Sequence, residues 1–264
     1  MWASRPGRAK TLAAAVDHLL SIHAFDAPYF EREGLLVTFV GNSALVKDFS
    51  AADPARLRAA ISAGPEDPIL LVLPGSRPGE ITRVLPPFEE AVKLLKADRP
   101  NLQVVIPAAS TVADAVKARV AGWPFRAHVI EDEALKTDAM KAATVALACS
   151  GTVTTELALA GCPMVVGYRI GALTYLILKR LIRTPYITLF NIAAQRFVAP
   201  ELVQADCTGP KLAAELARRL DDAALRQRQI AEQFEALDKM GRGGPDPAVA
   251  AADAVLALAP TPAS

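Results

Sequence analysis

Cysteine is scarce in this chain. The three present, Cys149, Cys162 and Cys207, form no CxxC pair and have no histidine nearby, which excludes a zinc cage. An odd count in a chain of 264 residues also argues against a disulfide scaffold. Histidine is as rare: His18, His23 and His128 stand apart, and each reads better as a surface or core residue than as a catalytic base. No HExxH, Ser-His-Asp set or paired-carboxylate motif can be argued from spacing. An excess of charge of one sign is missing too, because 29 Lys+Arg against 28 Asp+Glu leave +1. General electrostatic attraction to nucleic acid is thereby excluded as the organising idea. No run reaches the ~18 consecutive apolar residues that spanning a bilayer requires. The first residues, Met1 to Arg8, carry charge but are not followed by the apolar core and cleavage site of a secretory leader; they read like the interior of a longer protein. The expectation is a cytoplasmic protein, soluble or peripheral to a membrane, binding no metal and no nucleic acid.

What is present is a large apolar fraction, 52%, distributed in short β-branched runs. Candidate strands lie at 35–40, 69–73, 103–107, 127–130, 144–149, 163–167 and 186–190. Between them Val84 to Leu95, Val112 to Val120, Leu135 to Ala143 and Thr152 to Leu159 have helical spacing. Alternation of strand and helix predicts a mostly parallel, doubly wound sheet, and nearly continuous apolar strands fit a sheet covered on both faces. After residue 209 the chain reads as helical, with Leu212, Leu216, Leu220 and Leu225 on one side and Arg218, Arg219, Arg226 and Arg228 on others. A last Ala-rich helix is expected from Pro247 to Leu258. A domain boundary is placed near Phe49 to Pro54, where Asp53 is suited to cap a helix that starts at Pro54.

Several segments carry chemistry. Gly75, Ser76 and Arg77 follow a buried strand and lead into a helix, an arrangement that offers backbone N–H groups and a guanidinium to an anion. The bland alternative is a turn with a solvated arginine. There is no Walker A and no GxGxxG. Ser150, Gly151 and Thr152 repeat the pattern after the strand at 144–149, and Glu156 sits one turn on, where a carboxylate can accept from ribose hydroxyls. Ordinary helix capping by Ser150 and Thr152 explains the same residues. Tyr168 and Arg169 follow the next strand, and Arg77 with Arg169 makes an anion site more credible than either alone. The stretch from Leu173 to Arg183 has an apolar body and a basic end, suited to a membrane interface or to simple packing. Asn191, Gln195, Arg196, Glu201 and Gln204 form a polar cluster that suits sugar recognition or loop solvation equally.

Taken in order, LPGSRPGEI, SGTVTTELALAGCPMVVGYR, LTYLILKRLI and PYITLFNIAAQRFVAPELVQADCT resemble the lipid-A-disaccharide synthase family, from Trp2 to the final helices. The resemblance implies a GT-B-type fold of two Rossmann-like domains. It also implies a metal-independent, cofactor-free inverting transfer that joins UDP-2,3-diacylglucosamine to 2,3-diacylglucosamine 1-phosphate and releases UDP. It implies a site around Gly75, Ser76, Arg77, Ser150, Gly151, Thr152, Glu156, Tyr168 and Arg169, completed by Asn191, Arg196, Glu201 and Gln204. It further implies peripheral attachment to the cytoplasmic face of the inner membrane through 172–183, and it admits a homodimer.

Trp2 to Pro6 resembles an internal family segment usually written WAWRP, with Ser4 in place of the second Trp. Residues 1–52 are therefore expected to be the end of the acceptor-binding domain, and residues 53–264 the nucleotide-sugar domain with C-terminal helices. The family's proposed catalytic carboxylate matches no residue here. Phe39 to Ser43 replaces a usual Gly-His-Pro, and Gln195 stands at a usual Gly. The alternatives are a non-catalytic UDP- or membrane-binding module, or another GT-B enzyme such as a UDP-sugar epimerase or a MurG-like transferase.

Overall fold

In the computed structural model the described residues are 7–171, 174–176, 180 and 184–258. Trp2 to Pro6 and most of the expected interfacial helix over 172–183 therefore lie outside the described residues. The N-terminal piece is small: helix α1 (Gly7–Ala13), strand β1 (His18–Ser21), helix α2 (Ala27–Glu31) and strand β2 (Leu36–Phe39). β1 and β2 pair in parallel, His18 opposite Leu36, and Ala9, Phe30 and Leu35 form their own cluster. β1 is an addition to the strands read from the sequence; HLLS is too short to carry a period of its own.

The main body follows. It consists of α3 (Pro54–Ile61), β3 (Ile69–Leu73), α4 (Pro78–Asp98), β4 (Gln103–Pro107), α5 (Ala113–Val120), β5 (His128–Ile130), α6 (Glu133–Ala142), β6 (Val145–Cys149), α7 (Thr152–Leu159), β7 (Met164–Tyr168), α8 (Leu189–Ala194) and β8 (Glu201–Val203). The helices α9 (Gly209–Asp221), α10 (Ala223–Lys239) and α11 (Pro247–Leu258) close it. Asp53 does cap α3, accepting from the Ala55 N–H at 2.9 Å, with Pro54 in the first turn. All six strands β3 to β8 are parallel, in the order β5-β4-β3-β6-β7-β8. Strand order thus reverses direction at β3/β6, the arrangement of a doubly wound sheet.

Burial explains why β3 and β6 are apolar at every position: both are covered from two sides. On one face Leu70, Val72, Val104, Ile106, Val145 and Leu147 pack with α4, α5 and α9 through residues such as Phe88, Val116 and Leu216. On the other, Ile69, Leu71, Val105, Ala146 and Ala148 meet Leu57, Met140, Leu157, Phe190 and Leu237. The close approach of α4 to β7 depends on Gly167, where a Cβ would lie 2.4 Å from a ring carbon of Phe88.

Three expectations are corrected. The apolar run 186–190 is not a strand: Leu189 and Phe190 open α8, and the edge position beside β7 is taken by Glu201–Val203. The Glu201 carboxylate causes this by accepting the N–H groups of Ile187 (2.8 Å) and Thr188 (2.8 Å), which a ladder would otherwise need. The segment after 209 is helical as expected, but it divides in two, because Asp222 ends α9 and caps α10 by accepting from the Leu225 N–H at 2.8 Å. Leu225 is therefore not in line with Leu212 and Leu216, and Arg219 is buried rather than solvated, held by Gln229 at 2.7 Å and Glu215 at 2.7 Å.

Gly167→Ala is expected to lower the stability of the chain by about 1–3 kcal/mol, since Phe88 has no space into which to retreat. Urea denaturation of the two proteins checks this, and an unchanged midpoint would contradict the packing described.

Candidate functional site

Four adjacent strands end at one place. Leu73, Pro107, Ile130 and Cys149, the last residues of β3, β4, β5 and β6, line a cleft of about 450 Å³ at the carboxyl edge of the sheet. It straddles the point where strand order reverses, the position at which open α/β sheets bind ligands.

Gly75, Ser76 and Arg77 line one wall. Gly75 has φ +114°, and a Cβ there would sit 2.5 Å from Glu80 Oε2. Glycine is required because the Glu80 carboxylate folds back over the turn. Its Oε2 accepts the N–H groups of Ser76 (3.0 Å) and Arg77 (3.3 Å), and its Oε1 accepts from Arg77 Nη1 at 2.8 Å. The expectation of open N–H donors at Ser76 is thus corrected: an internal carboxylate occupies them, and the N-cap is Arg77. The Arg77 side chain is 79% exposed and is paired with Glu80.

The facing wall is the start of α7, where Ser150, Gly151, Thr152, Val153 and Glu156 line the cleft. The N-cap is Gly151, so neither Ser150 nor Thr152 caps the helix as the bland alternative supposed. Thr154 returns its N–H (3.1 Å) and its hydroxyl (2.7 Å) to the Gly151 carbonyl. The N–H groups of Thr152 and Val153 meet no acceptor among the described residues. That helix start presents free donors and a positive dipole end to the cleft. Glu156 is ion-paired with Lys47, which comes from the segment after β2.

The strand-end rule applies equally to β4 and β5, and following it would have found Pro107, Ala108, Ala109, Ile130, Glu131, Glu133 and Lys136, which also line the cleft. Glu80 lies in the same short motif as Arg77, three residues on, whereas Lys47, which pairs with Glu156 from outside the lining, left no local signal in the sequence. Cys149 forms part of the floor. Burial, with added repulsion from Glu80 and Cys207, pushes its thiol up to about 12, so it is a neutral wall and not a nucleophile.

The other expected site residues stand elsewhere. Tyr168 ends β7 near Arg77 and Glu80, and burial raises its phenol, which stays protonated. Arg169 lies against Cys207, with its Nε buried and without an acceptor. Gln204 braces the loop after β7, accepting from the Ile170 N–H at 3.0 Å. Arg196 bridges to Glu232 (2.8 Å) and Glu235 (3.2 Å) on α10. Asn191 is fully buried; it accepts from Val198 (2.8 Å) and Ala199 (3.1 Å) N–H and donates to the Ala199 carbonyl and Glu201, both at 2.9 Å. Burial pushes the Glu201 carboxyl up despite those bonds. None of these six residues lines the cleft. Among the described residues no His/Cys/Asp/Glu group could hold a metal ion, and no helix is long and apolar enough to cross a membrane.

Asn191→Ala is expected to cost about 2–4 kcal/mol, because it strands two buried N–H groups and a carboxylate at once. A urea midpoint equal to that of the parent chain would contradict this structural role.

Comparison with known proteins agrees with this geometry. Residues 1–246 match the family described as lipid-A-disaccharide synthetase. The chain is 43% identical over 256 residues to the lipid-A-disaccharide synthase of Rhodospirillum centenum, covering 97% of this chain and 64% of that protein. It is 39% identical over 265 residues to the one from Ruegeria pomeroyi, covering 97% and 65%. The chain therefore spans somewhat less than two thirds of the length of these relatives. Among solved structures it overlays the S. aureus MnaA-UDP co-structure with a TM-score of 0.59 at 16% identity, covering 96% of this chain and 64% of that one. Glycosyltransferases of known structure share the arrangement, so the fold is the expected parallel α/β architecture of GT-B type.

Proposed function

Because the chain belongs to the lipid-A-disaccharide synthetase family, we propose that residues 53–264 are the nucleotide-sugar domain of a glycosyltransferase, and that residues 1–52 are the end of its acceptor-binding domain. The reaction proposed is the condensation of UDP-2,3-diacylglucosamine with 2,3-diacylglucosamine 1-phosphate, giving the disaccharide 1-phosphate and UDP. One observation carries the reading most: the unpaired N–H groups at the start of α7 face a cleft at the reversal of strand order.

In this reading the UDP diphosphate lies against Thr152 and Val153, where the helix start offsets charge that grows as the sugar–phosphate bond breaks. Arg77 leaves Glu80 to take a phosphate oxygen in a charge-assisted bond. Glu156 accepts from the ribose hydroxyls. The uracil then extends toward Ala108, Ala109 and Ile130, the apolar end of the cleft. Tyr168 stands beside Arg77 and is assigned to the sugar side.

Displacement at the anomeric carbon also needs a base for the acceptor hydroxyl. No residue of the cleft is assigned that role; it is placed in the acceptor-binding domain. Attachment to the cytoplasmic face of the inner membrane through 172–183 belongs to the same proposal, since both substrates are acylated.

Arg77→Ala is expected to weaken UDP binding about tenfold while leaving the melting temperature unchanged, because the side chain is exposed and contributes little to the fold. Isothermal titration with UDP checks this. Equal affinity in a folded variant would remove Arg77 from the phosphate site.

A further inference from the structure

The cleft is acidic in its own lining. It contains Glu80, Glu131, Glu133 and Glu156 against Arg77 and Lys136. Each of the four carboxylates is nevertheless in an ion pair: Glu80 with Arg77, Glu133 with Lys136, Glu131 with Lys117 and Glu156 with Lys47. Two of those cations, Lys117 and Lys47, come from outside the lining. Ion pairing lowers the repulsion that a carboxylate in the cleft exerts on a diphosphate.

Lys47 differs from the other three cations in how it is held. It belongs to the segment that leaves the small sheet, and Leu45 and Phe49, two residues before and after it, are partly buried against the core cluster that includes Leu157 and Ala158 of α7. Its ammonium lies 5.5 Å from the centroid of the Phe49 ring, a cation–π contact that restricts the side chain. It reaches 109 positions along the chain to Glu156 Oε2. The Lys47 side chain is 31% exposed and that of Glu156 20%, so the pair is largely sheltered from solvent. Among the described residues Glu156 Oε1 has no hydrogen bond, although Glu156 lines the cleft.

We propose that Lys47 is a positioning residue for nucleotide recognition: by holding one oxygen of Glu156 it fixes the carboxylate with the other oxygen available to ribose hydroxyls. The N-terminal segment thereby contributes to selectivity for ribonucleotides at a site built by the main sheet. This rests on the nucleotide reading of the cleft given above. Removing Lys47 has two consequences of different kinds. The freed negative charge weakens every nucleoside diphosphate alike, whereas the loss of orientation weakens only those that carry ribose hydroxyls. The second effect is the signature of positioning.

The test compares UDP with 2′,3′-dideoxy-UDP by isothermal titration on the 264-residue chain, for the parent, Lys47→Met and Lys47→Arg, with melting temperatures recorded alongside. The expected result is that the parent prefers UDP, that Lys47→Met lowers this preference about tenfold, and that Lys47→Arg restores most of it. Glu156→Gln should show the same loss of preference, and adding Lys47→Met to it should reduce the preference no further. An unchanged UDP preference in folded Lys47→Met overturns the proposal while leaving the nucleotide site standing. Failure of the parent to bind UDP at all overturns the nucleotide reading and the proposal together.

Discussion

Every parallel crossover needs a helix to return the chain, and crossovers that leave β3 and β6 toward opposite edges draw their helices apart. Between these strands the carboxyl edge of the sheet has nothing above it. The remainder of the site depends on that gap. The strand ends Leu73 and Cys149 become its floor, the turns after them its walls, and the first N–H groups of α7 its positive end. Tight packing on both faces keeps the gap in place, with Phe88 against Gly167 on one side and Leu157 and Met140 on the other.

The two walls are built alike and differ in what satisfies them. At the turn after β3 the N–H groups are taken by Glu80, a carboxylate supplied by the chain itself, and Gly75 is needed to admit it. At the turn after β6 the N–H groups of Thr152 and Val153 meet no acceptor among the described residues. In the proposed reading an anion would meet one ready site and one that must first release Glu80. In the same reading the exposed Arg77, paired with the same carboxylate, links the two walls, because a phosphate that drew Arg77 away would also loosen Glu80.

Much of this was legible in the residues. ILLVL and QVVIP lie where they were expected as strands, and Thr152 to Leu159 is the helix its spacing indicated, because buried parallel strands and helix starts after glycine have strong local signals. YITLF misled for a physical reason. A short apolar run fits a strand or a helix start, and the choice was made by Glu201, a distant carboxylate that takes the backbone donors of Ile187 and Thr188. The polar cluster from Asn191 to Gln204 is harder still to read. Asn191, Glu201 and Gln204 spend their hydrogen bonds on the protein's own loops, and a buried amide that braces a loop has the same letter as one that holds a sugar. The pairs Glu80–Arg77 and Lys47–Glu156 show both extremes. The first spans three residues, while the second joins segments that only the fold brings together.

The central claim is that the open start of α7, at the reversal of strand order, is where the nucleotide diphosphate sits. Crystals of the chain grown with UDP test it most directly. The account predicts density for the diphosphate within hydrogen-bonding distance of the Thr152 and Val153 N–H groups, with the ribose beside Glu156. Ordered UDP bound elsewhere on the molecule, or an empty cleft at saturating UDP, would contradict it.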